Sequence, residues 1–370
     1  MMHEMKRSFF HTLIGIMLVA CHTPAKLPPG RWEPAVREAL DALIREADGY
    51  AVFDFDKTTI AGDISQALWV YQIEHLRYAD APAHAFLDGI PDINRSAAGI
   101  TFADMGKALQ EEYRQMISWR DNGATLEEIR CTALYQDFRA RMYSLMINID
   151  EVFGHDVSYL WMPGLLAGFT EAEAREVVRE AIADQLGAHK LDVQEWRSPD
   201  GQWGGQVERG VWVSQEMKDL FRCLEAAGID VYICSASMEL IVEELARELE
   251  VPTERVFGLR FVPAERVTAV YDSTYIQPIK QGKVTCIQTF IAPSHGGRGP
   301  VLVGGDSNGD VAMLTAFPDT RHGLVIDVGR RKESAIGQLA EQAKAESNKG
   351  RYLLQPAFAL PPVVPEGGGI

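Results

Sequence analysis

Apolar and polar positions along this chain fall into two kinds of block. Short apolar runs, Tyr50-Ala51-Val52-Phe53, Ile229 to Cys234, Val256 to Val262, Pro300 to Gly304 and Gly323 to Asp327, read as buried strands. Between them, apolar residues recur at helical spacing. Val36, Leu40, Leu43 and Ile44 predict a helix over 34–46, and Met217, Leu220, Phe221 and Leu224 a second, closed by Gly228. Met238, Ile241, Val242, Leu245 and Leu249 predict a third, and another starts at Lys283. Such alternation predicts an α/β fold with a Rossmann-like parallel sheet and helices on both faces. From 64 to 210 the strand signals fade and helical patterns dominate, most clearly where Thr170 and Glu173 form a capping box. We therefore expect a large, mainly helical cap over 64–210 inserted into a core of 34–63 and 211–350. A Pro- and Gly-rich tail over 351–370 should follow, disordered from Leu360.

Three of the predicted strands end in polar clusters. Phe53 is followed by Asp54, Asp56 and Thr58, Cys234 by Ser235-Ala236-Ser237, and Gly304 by Gly305-Asp306-Ser307-Asn308-Gly309-Asp310. Ligands of parallel sheets bind beyond the carboxyl ends of the strands, so these distant segments should converge on one rim. Two carboxylates two residues apart can divide a reaction between nucleophile and proton shuttle. Each piece also has a plain structural reading. Asp-x-Asp marks turns, Asp306 and Asp310 could cap a helix starting near Asn308, Ser235 could cap the helix before Met238, and Lys280 rivals Lys283 as a charged partner.

Taken together, the four segments resemble the haloacid dehalogenase-like hydrolase superfamily, in its phosphatase branch. Asp54-Phe55-Asp56-Lys57-Thr58 matches the first motif, Asp-x-Asp-x-Thr, although Lys57 departs from the Gly or Ser often found there. Ser235 matches the second motif, Lys283 the third, and Gly305-Asp306 through Asp310 the fourth. The resemblance implies that Asp54 attacks phosphorus to form an aspartyl-phosphate and that Asp56 serves as acid and base. It implies Mg²⁺ held by Asp54, Asp306 and the backbone carbonyl of Asp56, with Asp310 behind them or bridging through water. Ser235 and Lys283 would hold the phosphoryl oxygens, with Thr58 and Asp63 also at the substrate. Phosphocholine and phosphoserine phosphatases of bacteria are the branch members it is similar to. Other readings are a small-metabolite phosphatase or phosphotransferase, and a surface lipoprotein that binds without catalysing.

For the substrate, Asp63 would suit an amine or quaternary ammonium. Trp69, Trp119, Trp161, Trp196 and Trp203, with Tyr71 and Tyr78, are candidates for an aromatic cage around such a head, although any single one is more often a core anchor. A small phosphomonoester such as phosphocholine is the expected substrate. Net charge changes the picture further: at −16 over 370 residues, the chain would repel a nucleic-acid backbone.

At the N-terminus, Lys6 and Arg7 precede an apolar stretch from Leu13 to Ala20, too short for a permanent span and laid out like a signal peptide. Leu18-Val19-Ala20-Cys21 resembles the lipobox of bacterial lipoproteins, so 1–21 should be a signal and 22–33 a tether. Lipidation of Cys21 would anchor an exported protein, periplasmic or at the cell envelope, to a membrane. The other four cysteines, Cys131, Cys223, Cys234 and Cys286, lack the spacing of a zinc site.

Overall fold

The computed structural model describes residues 26–79, 86–187 and 190–358. Signal-like residues 1–21, Cys21, the start of the tether and the end of the tail lie outside the described residues.

The apolar runs do assemble side by side. Six strands form one parallel sheet in the order Tyr352–Pro356, His322–Asp327, Leu302–Gly305, Gly49–Phe53, Ile229–Met238 and Val256–Leu259. Counted along the chain, this is the doubly wound order, with its switch between Gly49–Phe53 and Leu302–Gly305. Side chains alternate between the faces of a strand, and the first strand is buried on both. Ala51 and Phe53 join the core under the helices Pro34–Glu46 and Gln215–Ala226. Tyr50 and Val52 join a second core beneath Gln281–Cys286, Val311–Ala316 and Ala335–Ala345. The predicted stripe of Val36, Leu40, Leu43 and Ile44 is buried throughout.

The cap leaves and re-enters the core through a two-stranded antiparallel ribbon, Ala61–Gly62 against Val211–Trp212. Gly62 needs its lack of a side chain, for it sits at φ +89° and a Cβ there would stand 2.5 Å from the Gly210 carbonyl oxygen. Between these strands the cap holds six helices among the described residues, Ile64–His75, Phe102–Asp121, Leu126–Arg130, Ala133–Phe153, His155–Gly164 and Glu171–Gln185. The last of these starts at the predicted capping box, with both reciprocal bonds made between Thr170 and Glu173. The cap also carries a hairpin, Asp192–Arg197 with Gly204–Arg209, and a core of its own.

Four expectations need correction. The tail over 351–370 begins with a core strand: Tyr352–Pro356 pairs in parallel with His322–Asp327, because Tyr352, Leu353 and Leu354 bury an apolar run against the sheet edge. Residues 26–33 of the tether pack on the core, with Leu27 and Trp32 buried and Arg31 Nε 2.8 Å from Glu216 Oε1. The strand predicted to stop at Cys234 continues to Met238, so Ser235 lies within it rather than capping a helix. No aromatic cage forms from the expected residues. Trp69, Trp161, Trp196, Trp203 and Tyr78 are buried in the cap core, Trp119 packs against it, and Tyr71 is buried in the core beneath the cap. Large apolar rings gain more from burial than from lining a wet cleft.

Candidate active site

Past the carboxyl ends of the strands lies a cleft of about 690 Å³ between core and cap. Its floor begins at Asp54. Its backbone N–H donates to the Gly304 carbonyl oxygen at 3.0 Å, which ties the loop to the neighbouring strand at the switch point. Lys57 then adopts a left-handed conformation, φ 60°, and its N–H donates to Gly62 O at 3.1 Å. The carboxylates of Asp54 and Asp56 meet different partners.

On one wall, Lys283 Nζ lies 2.6 Å from both Asp54 Oδ1 and Asp310 Oδ1, and all three side chains are buried. Burial alone would lower the lysine's pKa, yet Asp310 and Asp54 overcome it and hold the ammonium well above its usual range. Asp54 is itself pushed well above the usual carboxylate range by burial and by Asp310, against the pull of Lys283. The other oxygen of Asp310 accepts from Asp306 N at 3.1 Å, Ser307 N at 3.0 Å and Ser307 Oγ at 2.9 Å. This geometry requires Gly305, whose Cβ would stand 2.5 Å from that of Asp310. Asp306 receives Thr58 Oγ1 at 3.2 Å on one oxygen and Arg330 Nη2 at 2.6 Å on the other.

On a second wall of the cleft, Asp56 has neutral hydrogen-bond partners. Ser237 Oγ donates to its Oδ2 at 2.6 Å and Ile64 N to its Oδ1 at 2.7 Å. Tyr159, carried by the cap helix His155–Gly164, places its hydroxyl 2.8 Å from Ser237 Oγ and 3.4 Å from the same Asp56 oxygen. Burial, with Asp63 nearby, raises the Asp56 carboxyl to about 7, while the bonds from Ser237 and Ile64 pull against the shift. Asp63 also caps the helix Ile64–His75 by accepting from Gln66 N at 3.0 Å, and burial raises its pKa too.

The cleft therefore brings together Asp54, Asp56, Asp63, Ser235, Lys283, Asp306 and Asp310. Ser235 is buried at the rim, its Oγ accepting from Ser237 N at 3.0 Å. Thr58 stands behind Asp306, with its hydroxyl turned to that carboxylate. The two candidate lysines are placed differently. Lys283 is buried against Asp54, whereas Lys280 is exposed and pairs with Asp156 of the cap at 2.7 Å.

Asp54, Asp306 and Asp310 each offer an oxygen within 4.8 Å of the others, an all-oxygen set that fits a hard divalent cation. The Asp56 carboxylate, engaged on the other wall, is not in this group. Residues that the sequence reading missed are Ser237, Tyr159 and Arg330. Ser237 follows Ser235 by one strand repeat, and Arg330 follows a further strand end, Asp327; each carried a positional signal. Tyr159 carried none, because its place depends on how the cap folds.

A wall of clustered carboxylates around a buried lysine, sharing a cleft with a protonatable carboxyl at the rim of a parallel sheet, defines a capped α/β enzyme. Residues 160–315 match the family model of haloacid dehalogenase-like hydrolases, a span that includes Ser235, Lys283, Asp306 and Asp310. The chain carries a haloacid dehalogenase-like hydrolase domain. No curated protein matches it. Among solved structures it is similar to a conserved functionally unknown protein from Anaerococcus prevotii DSM 20548, at 27% identity and a TM-score of 0.77, covering 89% of this chain and 94% of that one. A protein with unknown function from Bordetella pertussis Tohama I aligns at 14% identity and a TM-score of 0.45, over 83% and 98% of the two chains. A substrate-bound phosphoserine phosphatase complex aligns at 10% and 0.36, over 76% and 87%.

Proposed function

We propose that this protein is a metal-dependent phosphomonoesterase that works through an aspartyl-phosphate. The observation that carries the reading is the placement of Lys283 between Asp54 and Asp310, in a cleft that Asp56 also lines. A cation so deeply buried serves a site that must gather further negative charge, which a phosphoryl group supplies.

The Asp54 carboxylate attacks phosphorus and the bond to the leaving oxygen breaks, with the Asp56 proton passing to that oxygen. Asp56, now ionised, takes a proton from the water that attacks the aspartyl-phosphate, releasing phosphate and restoring both carboxyls. Ser235 donates to a phosphoryl oxygen, and the Lys283 charge limits repulsion between the incoming anion and the acidic wall. Asp54 and Asp306, with Asp310 behind them, would hold Mg²⁺, which supplies charge neutralisation to the phosphoryl oxygens.

The substrate in this proposal is a small phosphomonoester. A cationic head such as that of phosphocholine has no tryptophan cage to receive it, and in the cleft it would meet Asp63 and the ring of Tyr159, since Asp156 pairs with Lys280. The test is a panel of phosphomonoesters with and without Mg²⁺, run on the wild type and on Asp54→Asn. Metal-dependent phosphate release should fall on the order of 10⁴-fold or more in the variant. Release that survives the substitution removes the nucleophile. Export as a lipoprotein is a separate part of the proposal: labelling by palmitate should vanish in Cys21→Ser, and unchanged labelling rejects it.

A further inference from the structure

The far end of the helix Ile64–His75 opens on a second concave site. That helix begins at Asp63 in the cleft and runs about 18 Å through the cap. Its last turn, Glu74 and His75, borders a hollow of about 410 Å³ walled by Arg130, Arg139 and Arg209. Three guanidinium groups around one hollow are out of character for a protein of net charge −16.

Their compensation is incomplete. Arg209 Nη2 pairs with Glu74 Oε2 at 2.9 Å. Arg130 spends its Nε on the Glu74 backbone oxygen at 2.8 Å. Among the described residues neither Arg130 nor Arg139 has a carboxylate at ion-pair distance, and the Nε atoms of Arg139 and Arg209 are buried without a hydrogen-bond partner. Arg139 lies over the rings of Tyr135 and Trp196, 5.8 and 5.7 Å from their centroids. Asp184, the other acid of the hollow, accepts from Gln185 Nε2 at 2.5 Å and lies 3.9 Å from His75. Burial and Arg130 push His75 toward its neutral form, and burial with Arg209 nearby lowers Arg139. The hollow is thus short of negative charge.

We propose that this arginine-lined hollow binds a phosphate-type oxyanion, free or esterified. Planar guanidinium forks match tetrahedral oxyanions in bidentate fashion, and a ring beneath Arg139 holds its fork in place. Neutral donors such as Gln136 and Gln194 on the same walls suit the polar remainder of an ester. None of these residues belongs to the catalytic cleft.

The full chain is titrated in EDTA, where the metal-free carboxylate wall of the cleft repels anions, with inorganic phosphate or with glycerol 2-phosphate. Potassium chloride at matched ionic strength is the control, and fluorescence of Trp196 beneath Arg139 supplies the signal. A saturable response should appear in the wild type and in Ser235→Ala, and weaken about tenfold or more in Arg139→Gln. A response to phosphate identifies the free ion, and one to glycerol 2-phosphate alone identifies an ester. Absence of saturation with both, equal affinity in Arg139→Gln, or loss in Ser235→Ala overturns the proposal. Should Arg139→Gln lose its cooperative melt, Arg130→Gln is read by the same criteria.

Discussion

Asp54 and Asp56 stand two residues apart on one loop, yet the company they keep is opposite. Asp54 faces a buried ammonium and two further carboxylates, so its wall is built from full charges that offset each other. Asp56 is hydrogen-bonded by a serine, a tyrosine and a backbone N–H, and no cation pairs with it directly, while Asp63 and Lys57 nearby act on its charge in opposite senses. Burial then sets the behaviour of Asp56, and its carboxyl rests at about 7, where it can both give and accept a proton. The contrast between two chemically equal side chains follows from their surroundings.

The largest test of that contrast is the response to leaving group. Asp56→Asn should lower kcat by about 10²–10⁴ on alkyl phosphomonoesters, which need a proton on the departing oxygen. On p-nitrophenyl phosphate, whose leaving group is stable as an anion, most of the first-step loss should disappear. Asp54→Asn should be inactive on both. The ratio kcat/KM reports the first step and not the shared hydrolysis of the aspartyl-phosphate. Equal losses in kcat/KM by Asp56→Asn on the two substrates would collapse the two walls into one role.

Stability should separate the walls next. Lys283→Met strands Asp54 and Asp310 as buried neighbours, and a broken buried pair costs about 3 kcal/mol or more. Urea unfolding should show that loss, and adding Asp54→Asn should restore part of it. Asp56→Asn alone should shift the midpoint far less, since its amide oxygen can still accept from Ile64 N while its NH2 donates to Ser237 Oγ, whose hydroxyl can turn to accept. A Lys283→Met variant as stable as the wild type would mean the acidic wall needs no cation.

The same contrast explains what could be read from sequence. The Asp54 wall was legible because Asp54, Asp306 and Asp310 sit at strand ends, where apolar runs stop and polar clusters begin, and Lys283 opens a helix. A parallel sheet converts that local signal into proximity. The Asp56 wall was half legible: Ser237 lies in the polar cluster that follows a recognised strand, but Tyr159 comes from a cap helix whose docking depends on packing that no local pattern records. The tryptophans misled for a related reason, since the sequence marks them as large and apolar but not as inward or outward. Strand Tyr352–Pro356 was missed because its neighbours from Leu360 onward are rich in Pro and Gly, and three apolar residues beside them carry a weak periodic signal.

The smallest effects carry the comparison outside the cleft, to two arginine–glutamate pairs. Glu216 meets Arg31 through three hydrogen bonds on the core and is held at about 2. Glu112 meets Arg141 at 3.1 Å in the cap, yet burial outweighs its partner and raises it to about 7. Relative to the ordinary value of 4.5, the signs are opposite. Lowered Glu216 contributes stability that is present above pH 4.5 and lost as the pH falls toward 2. Raised Glu112 favours the folded state only while it is protonated, so its cost grows as the pH rises from 4.5 through 7. After solvent screening, each effect should be about 1 kcal/mol. Urea melts of the single Gln variants, each taken relative to wild type, should thus slope in opposite directions: Glu216→Gln loses ground between pH 2 and 5, and Glu112→Gln gains it between pH 5 and 8. Slopes of the same sign would show that the cap pair is compensated like the core pair, and that burial does not decide the charge of a carboxyl whose partner is present.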